Sequence, residues 1–166
     1  MLVKNTSTTA AKTSYQLTSF YLEGHERRAE LLHNWSASFL SFMHSRYGLK
    51  SPWESIRIVA VEAEYEQVDV LNNLVLVPLP NYKRSEFLDR QSLGFLTRRL
   101  AQLWFGESIW SNHDTQQWLN LGIPAFFGLR FFQHNFGADA GIFDSLDWMN
   151  PRYRDHFFEK MANSVS

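Results

Sequence analysis

The sequence predicts an α+β fold, a small mixed sheet leading into a helical half. Two observations carry that prediction. β-prone segments cluster before residue 80, with a single helical stretch among them, and helical spacing of apolar residues dominates after residue 85. Runs of strands followed by runs of helices mark this fold class. The chain has 166 residues, one domain's worth and enough to bury a core without staples.

Residues 1–14 are polar and rich in Ser and Thr, and read as a flexible lead-in. Residues 15–166 read as a single domain. Residues 15–22, "YQLTSFYL", are β-prone and predict a strand. A helix is expected over 25–47, where Ala29, Leu32, Ser36, Phe39, Met43 and Tyr47 recur at helical spacing. Gly48 is a natural stop, and Pro52 follows.

Residues 55–62, "SIRIVAVE", alternate Ile56, Ile58 and Ala60 with Arg57, Val59 and Val61, a strand buried on both faces towards its end. The acidic segment that follows reads as irregular. Residues 73–78, "NLVLVP", make another short strand, closed by Pro78 and Pro80. A long helix is expected from 85 to about 105, with Leu93, Leu96, Leu100 and Leu103 on one stripe and Gly106 at its end. Another runs from about 115 to 134, with an irregularity at Gly122 and Pro124. One or two short helices are expected between 143 and 162.

Composition removes several functions. Net charge is -1 with no long run of like charge, unlike a nucleic-acid surface, which needs a basic stripe. With no cysteine, neither a disulfide framework nor a thiolate metal site can form. No apolar run reaches the roughly 18 residues a membrane span needs. Aromatic residues are 16% of the chain, which implies a thick core or a surface that a partner covers.

Two short blocks carry a pattern of chemistry: "RRLAQLWFG" at 98–106 and "WLNLG" at 118–122. A helical zinc-peptidase site needs two His at i and i+4, a Glu beside the first His to activate water, and a third ligand from a second helix. In the aminopeptidase N family, a thermolysin-like (gluzincin) metallopeptidase group, these elements read HELAHQWFG and WLNEG. The present sequence resembles that family at Leu100, Ala101, Trp104, Phe105 and Gly106, then at Trp118, Leu119, Asn120 and Gly122. The family's spacing of eighteen residues is matched by Leu103 to Asn120. With the run-in from residue 20, the resemblance covers about 20–137.

The departures fall on the chemistry. At the family's first His stands Arg98, at its general base Arg99, at its second His Gln102, and at its ligand Glu Leu121. Arginine stays protonated and offers no lone pair to a metal, and leucine offers nothing. The family's Gly-x-Met-Glu-Asn segment would fall around "EQVDVLNN" and is not matched, and no motif supports Tyr153 as its catalytic tyrosine. The resemblance therefore implies a peptidase-like domain without catalytic residue, metal or cofactor. Leu100, Ala101, Trp104, Phe105 and Trp118 are expected where helices and sheet meet.

Arg98 and Arg99 form a candidate anion-binding pair, holding a carboxylate of a ligand or of this chain. Glu62, Glu64, Glu66 and Asp69 are internal candidates, and two solvated arginines are the plainer reading. The six His residues show no HExxH spacing; a relocated metal site at His113 and Asp114 is the alternative to structural or surface roles. The expected function is a catalytically inactive pseudo-peptidase with a structural, protein-interaction or peptide-binding role. The alternative is a hydrolase or peptidase rebuilt from other residues. Expected partners are other domains of a longer parent protein or a protein partner, with peptide as a further ligand and no nucleic acid. An exposed apolar patch from the tail at 143–158 and the helix bearing Phe126 to Phe132 would favour self-association or docking.

Overall fold

The computed structural model describes residues 3–9, 15–61, 68–78, 90–109 and 117–139. Strands β1 (Val3–Thr9), β2 (Gln16–Leu22), β3 (Ser55–Val61), β4 (Asp69–Leu71) and β5 (Leu74–Pro78) form one sheet. Their order is β1-β2-β3-β5-β4. The pairs β2–β3 and β3–β5 are parallel, and β1–β2 and β4–β5 antiparallel. The helices are α1 (Glu26–Tyr47), α2 (Arg90–Ala101) and α3 (Gln117–Phe136). The fold is α+β with a small mixed sheet.

Helix α1 is the crossover that makes β2 and β3 parallel, a connection too long for a hairpin. Its apolar stripe is the expected one: Ala29, Leu32, Ser36, Phe39 and Met43 are buried. Gly48 ends it with φ 68, a left-handed cap that favours glycine, and its N–H donates to the His44 carbonyl. In β3, Ile56, Ile58 and Ala60 are buried, while Val59 and Val61 are half-buried. The α2 stripe, Leu93, Leu96 and Leu100, is wholly inside, as is Leu103 in the turn that follows. Phe131 of α3 meets Phe39 and Phe42 of α1 edge to face, with ring centroids 5.3 and 5.4 Å apart, a favourable arrangement of the ring quadrupoles.

Several elements differ from expectation. Residues 3–9, in the segment read as a lead-in, run as β1 in register with β2 from Val3↔Leu22 to Thr9↔Gln16. An otherwise open β2 edge offers a ladder of hydrogen bonds, and Thr-rich chain suits an extended strand. Part of the acidic segment read as irregular becomes β4, joined to β5 through Asn72 at φ 54, a conformation asparagine tolerates. Helix α2 stops at Ala101, a turn earlier than expected, and residues 102–104 form turns. Glu107 N–H donates to the Gln102 carbonyl and Ile109 N–H to that of Trp104, so the chain folds back instead of continuing. The helix proposed over 115–134 is continuous through Pro124 and runs on to Phe136. The tail elements between 143 and 162, and the start proposed at 85, lie outside the described residues.

Candidate functional site

Helices α2 and α3 bring the two sequence blocks together. At Gly128 they approach closely: a methyl group there would sit 2.8 Å from Arg98 Cγ. A larger residue would require a shift of the Arg98 side chain or of the helices, so glycine suits the contact. The Arg98 stem therefore lies against α3. Its Nε donates to the Gly94 carbonyl at 2.9 Å, and its guanidinium stands 5.0 Å from the Phe95 ring centroid, within cation–π range.

One turn on, Arg99 Nη1 donates to Gln102 Oε1 at 3.1 Å, and Gln102 Nε2 donates to the Asn120 carbonyl at 3.2 Å. That carbonyl has a specific need. In a helix it would accept from the N–H four residues on, which here belongs to Pro124 and does not exist. Gln102 supplies the missing donor from the turn just past the end of α2. The amide of Gln102 is thus occupied at both ends by the protein, while the Asn120 side-chain Oδ1 is buried without a hydrogen-bond partner among the described residues.

The residues at the positions that the resemblance gives to zinc do not fit a zinc ion. Arg98 presents only donors, Gln102 uses its oxygen to accept from Arg99, and Leu121 is hydrocarbon. Leu121 and Trp118 are also 59% and 60% exposed. Trp118 therefore does not sit at the meeting point of helices and sheet expected for it. Leu100, Ala101 and Trp104 do sit inside, and Phe105 packs against the core. Trp104 Nε1 donates to the Lys50 carbonyl at 2.7 Å, tying the block to the turn after α1. Glu107 Oε2 accepts from the Asn72 N–H at 2.8 Å, joining the same loop to the β4–β5 turn.

Among the proposed acidic partners of Arg98 and Arg99, Asp69 lies in β4 opposite Leu76; Glu62, Glu64 and Glu66 are outside the described residues. So are His113, Asp114 and Tyr153. Among the described residues, no three His, Asp or Glu side chains gather as a metal-ligand group. No described helix is long and apolar enough to cross a membrane. Sequence reasoning missed the roles of Pro124 and Gly128. The proline carried a usable signal: inside a helix it frees the carbonyl four residues earlier, and that residue is Asn120.

No known protein-family profile matches the chain, and no curated protein matches it. Its fold is similar to that of Legionella pneumophila aminopeptidase A, whose crystal structure is in complex with aspartic acid. The TM-score is 0.67 at 12% identity, over 81% of this chain and 17% of that chain. At that identity the likeness concerns the fold alone: a peptidase-like fold, spanning a small part of the length of the protein it resembles.

Proposed function

We propose that the chain is a degenerate aminopeptidase N-type domain, a pseudo-peptidase whose former reaction centre holds two helices together and whose outer surface docks other protein. The observation that carries this reading is the Gln102 amide. At a position where the family pattern has a metal ligand, this side chain accepts from Arg99 and donates to the Asn120 carbonyl. Arg98 and Arg99 supply neither a lone pair nor a base, so the family's route to an activated water has no residue to begin from.

The interaction role draws support from α3. Trp118, Leu121 and Phe126 are all large, apolar and exposed. They recur at helical spacing and so share one side of the helix. An apolar face of this kind suits contact with another protein surface. The exposed part of the aromatic run is narrower than its sequence suggests, since Phe127, Phe131 and Phe132 are buried.

The test combines metal analysis with turnover. The purified protein is expected to hold zinc well below one ion per chain after dialysis and to leave aminoacyl-anilide substrates intact. Stoichiometric zinc would overturn the reading. So would hydrolysis that disappears when one residue of this chain is changed.

A further inference from the structure

A second site lies at the other end of α3. Counting from Asn120 to Gln133 along the helix gives a separation of about 20 Å at 1.5 Å per residue. There the C-terminal turns of α1 and α3 enclose a half-open cavity of about 270 Å³, lined by Phe42, Arg46, Tyr47, Arg130, Gln133 and His134. The lining combines two guanidinium groups and an imidazole with two aromatic rings, and among the described residues it contains no carboxylate.

The aromatic wall is fixed. Phe42 is buried and packs edge to face on Phe131 and Tyr47, and Tyr47 packs edge to face on Phe127. The imidazole of His134 lies 5.3 Å from the Phe42 centroid. On the rim, Arg130 Nη1 donates to Gln133 Oε1 at 2.8 Å, which orients one guanidinium. Arg46 and Arg130 are exposed, and no carboxylate among the described residues pairs with either.

Basic residues near a helix C-terminus have an ordinary explanation, because they complement the helix dipole. That accounts for Arg46 and His134 each on its own helix. It does not account for their meeting Arg130 around one cavity, in a chain whose 16 basic and 17 acidic residues nearly balance.

We infer that this cavity binds a small organic phosphate monoester, with the phosphate between Arg46 and Arg130 and a planar apolar part against the half-buried ring of Tyr47, which Phe42 backs from within. Guanidinium forks match phosphate oxygens in bidentate pairs. A phosphate monoester is close to dianionic at neutral pH, which answers two fixed positive charges better than one carboxylate does. The size agrees as well: the cavity falls just below the roughly 300–1,000 Å³ of sites for drug-sized ligands, so a single ring with its phosphate is the scale it takes.

Phenyl phosphate, inorganic phosphate, benzoate and phenol serve as probes, titrated into the intact chain and followed by amide chemical shifts. Phenyl phosphate is expected to saturate the site and to bind at least about tenfold tighter than each of the other three. The double variant Arg46→Ala/Arg130→Ala should lose at least about tenfold in affinity. Both side chains are exposed, and an unchanged melting temperature would show that the variant is folded. Arg46→Lys/Arg130→Lys keeps the charge but not the fork, and should bind more weakly than the natural chain. Absence of saturable phenyl phosphate binding would overturn the inference, as would affinity equal to the natural chain's in either double variant. Tighter binding of benzoate would refute the phosphate assignment.

Discussion

The side chain of Gln102 replaces a main-chain donor of another helix: its Nε2 lies 3.2 Å from the Asn120 carbonyl, the one that Pro124 leaves open. A proline inside α3 would otherwise leave an unsatisfied carbonyl at the α2–α3 contact. The helix continues through Pro124, and Gln102, one residue past the end of α2, fills the gap in its ladder.

Gln102→Ala should therefore destabilise the fold by about 1–2 kcal/mol, the cost of a partly buried acceptor left without its donor. The effect should depend on Pro124. In a Pro124→Ala background the helix regains its own N–H, and the cost of Gln102→Ala should shrink by at least about 0.5 kcal/mol. Urea unfolding of the two single variants and the double variant measures the coupling. Strict additivity would mean that Gln102 and Pro124 act independently.

Gly128→Ala should also destabilise, by about 1–3 kcal/mol, through overpacking against Arg98 Cγ. This direction opposes helix propensity, which favours alanine over glycine by about 1 kcal/mol. Arg98→Ala removes the obstructing atom, so the double variant Arg98→Ala/Gly128→Ala should recover stability relative to Gly128→Ala alone. Failure of that rescue would place the strain elsewhere.

His33 makes stability depend on pH. Its ring is 2% exposed, and its Nδ1 is 2.7 Å from Ser19 Oγ in the buried contact of α1 with β2. Burial lowers its pKa below the ordinary 6.5. The unfolded chain therefore takes up this proton at higher pH than the folded one. Stability from neutral His33 is complete above the unfolded pKa and is lost as pH falls through 6.5 towards the folded value. Urea midpoints should drop as pH falls from neutrality through 6.5 and below, and His33→Gln should flatten that part of the profile. An unchanged slope would remove His33 as its source.

Installing the metal ligands of the aminopeptidase N pattern tests the proposed kinship. Arg98→His, Arg99→Glu, Gln102→His and Leu121→Glu would rebuild the family pattern. Leu121 is largely exposed rather than packed in apolar surroundings, so a carboxylate there carries little desolvation cost. The vulnerable change is Gln102→His, which removes the donor to Asn120, and adding Pro124→Ala offsets it. Zinc at a hundred times its dissociation constant should then stabilise this variant by about 2.7 kcal/mol, visible as a higher melting temperature. A folded variant that ignores zinc would show that α2 and α3 do not hold the geometry a zinc site of that pattern needs.

Much of the architecture was legible in the sequence, because a helix or strand must repeat its apolar residues at its own period. Leu93, Leu96 and Leu100 announced the buried side of α2, and Gly48 the end of α1. The unsuitability of Arg98 and Leu121 as metal ligands was equally local, since it belongs to the side chains wherever they stand. Tertiary structure alone decided the partners. Periodicity says which side of a helix is apolar but not what covers it, and the resemblance that put Trp118 where helices and sheet meet does not say so either: Trp118 stands in solvent. Nor does it say which distant polar groups meet. Gln102 reaches Asn120, and Arg46 shares a cavity with Arg130, only because α3 docks against α2 at one end and α1 at the other. That docking depends on Gly128 and on the fit of aromatic rings across helices, which no single segment encodes.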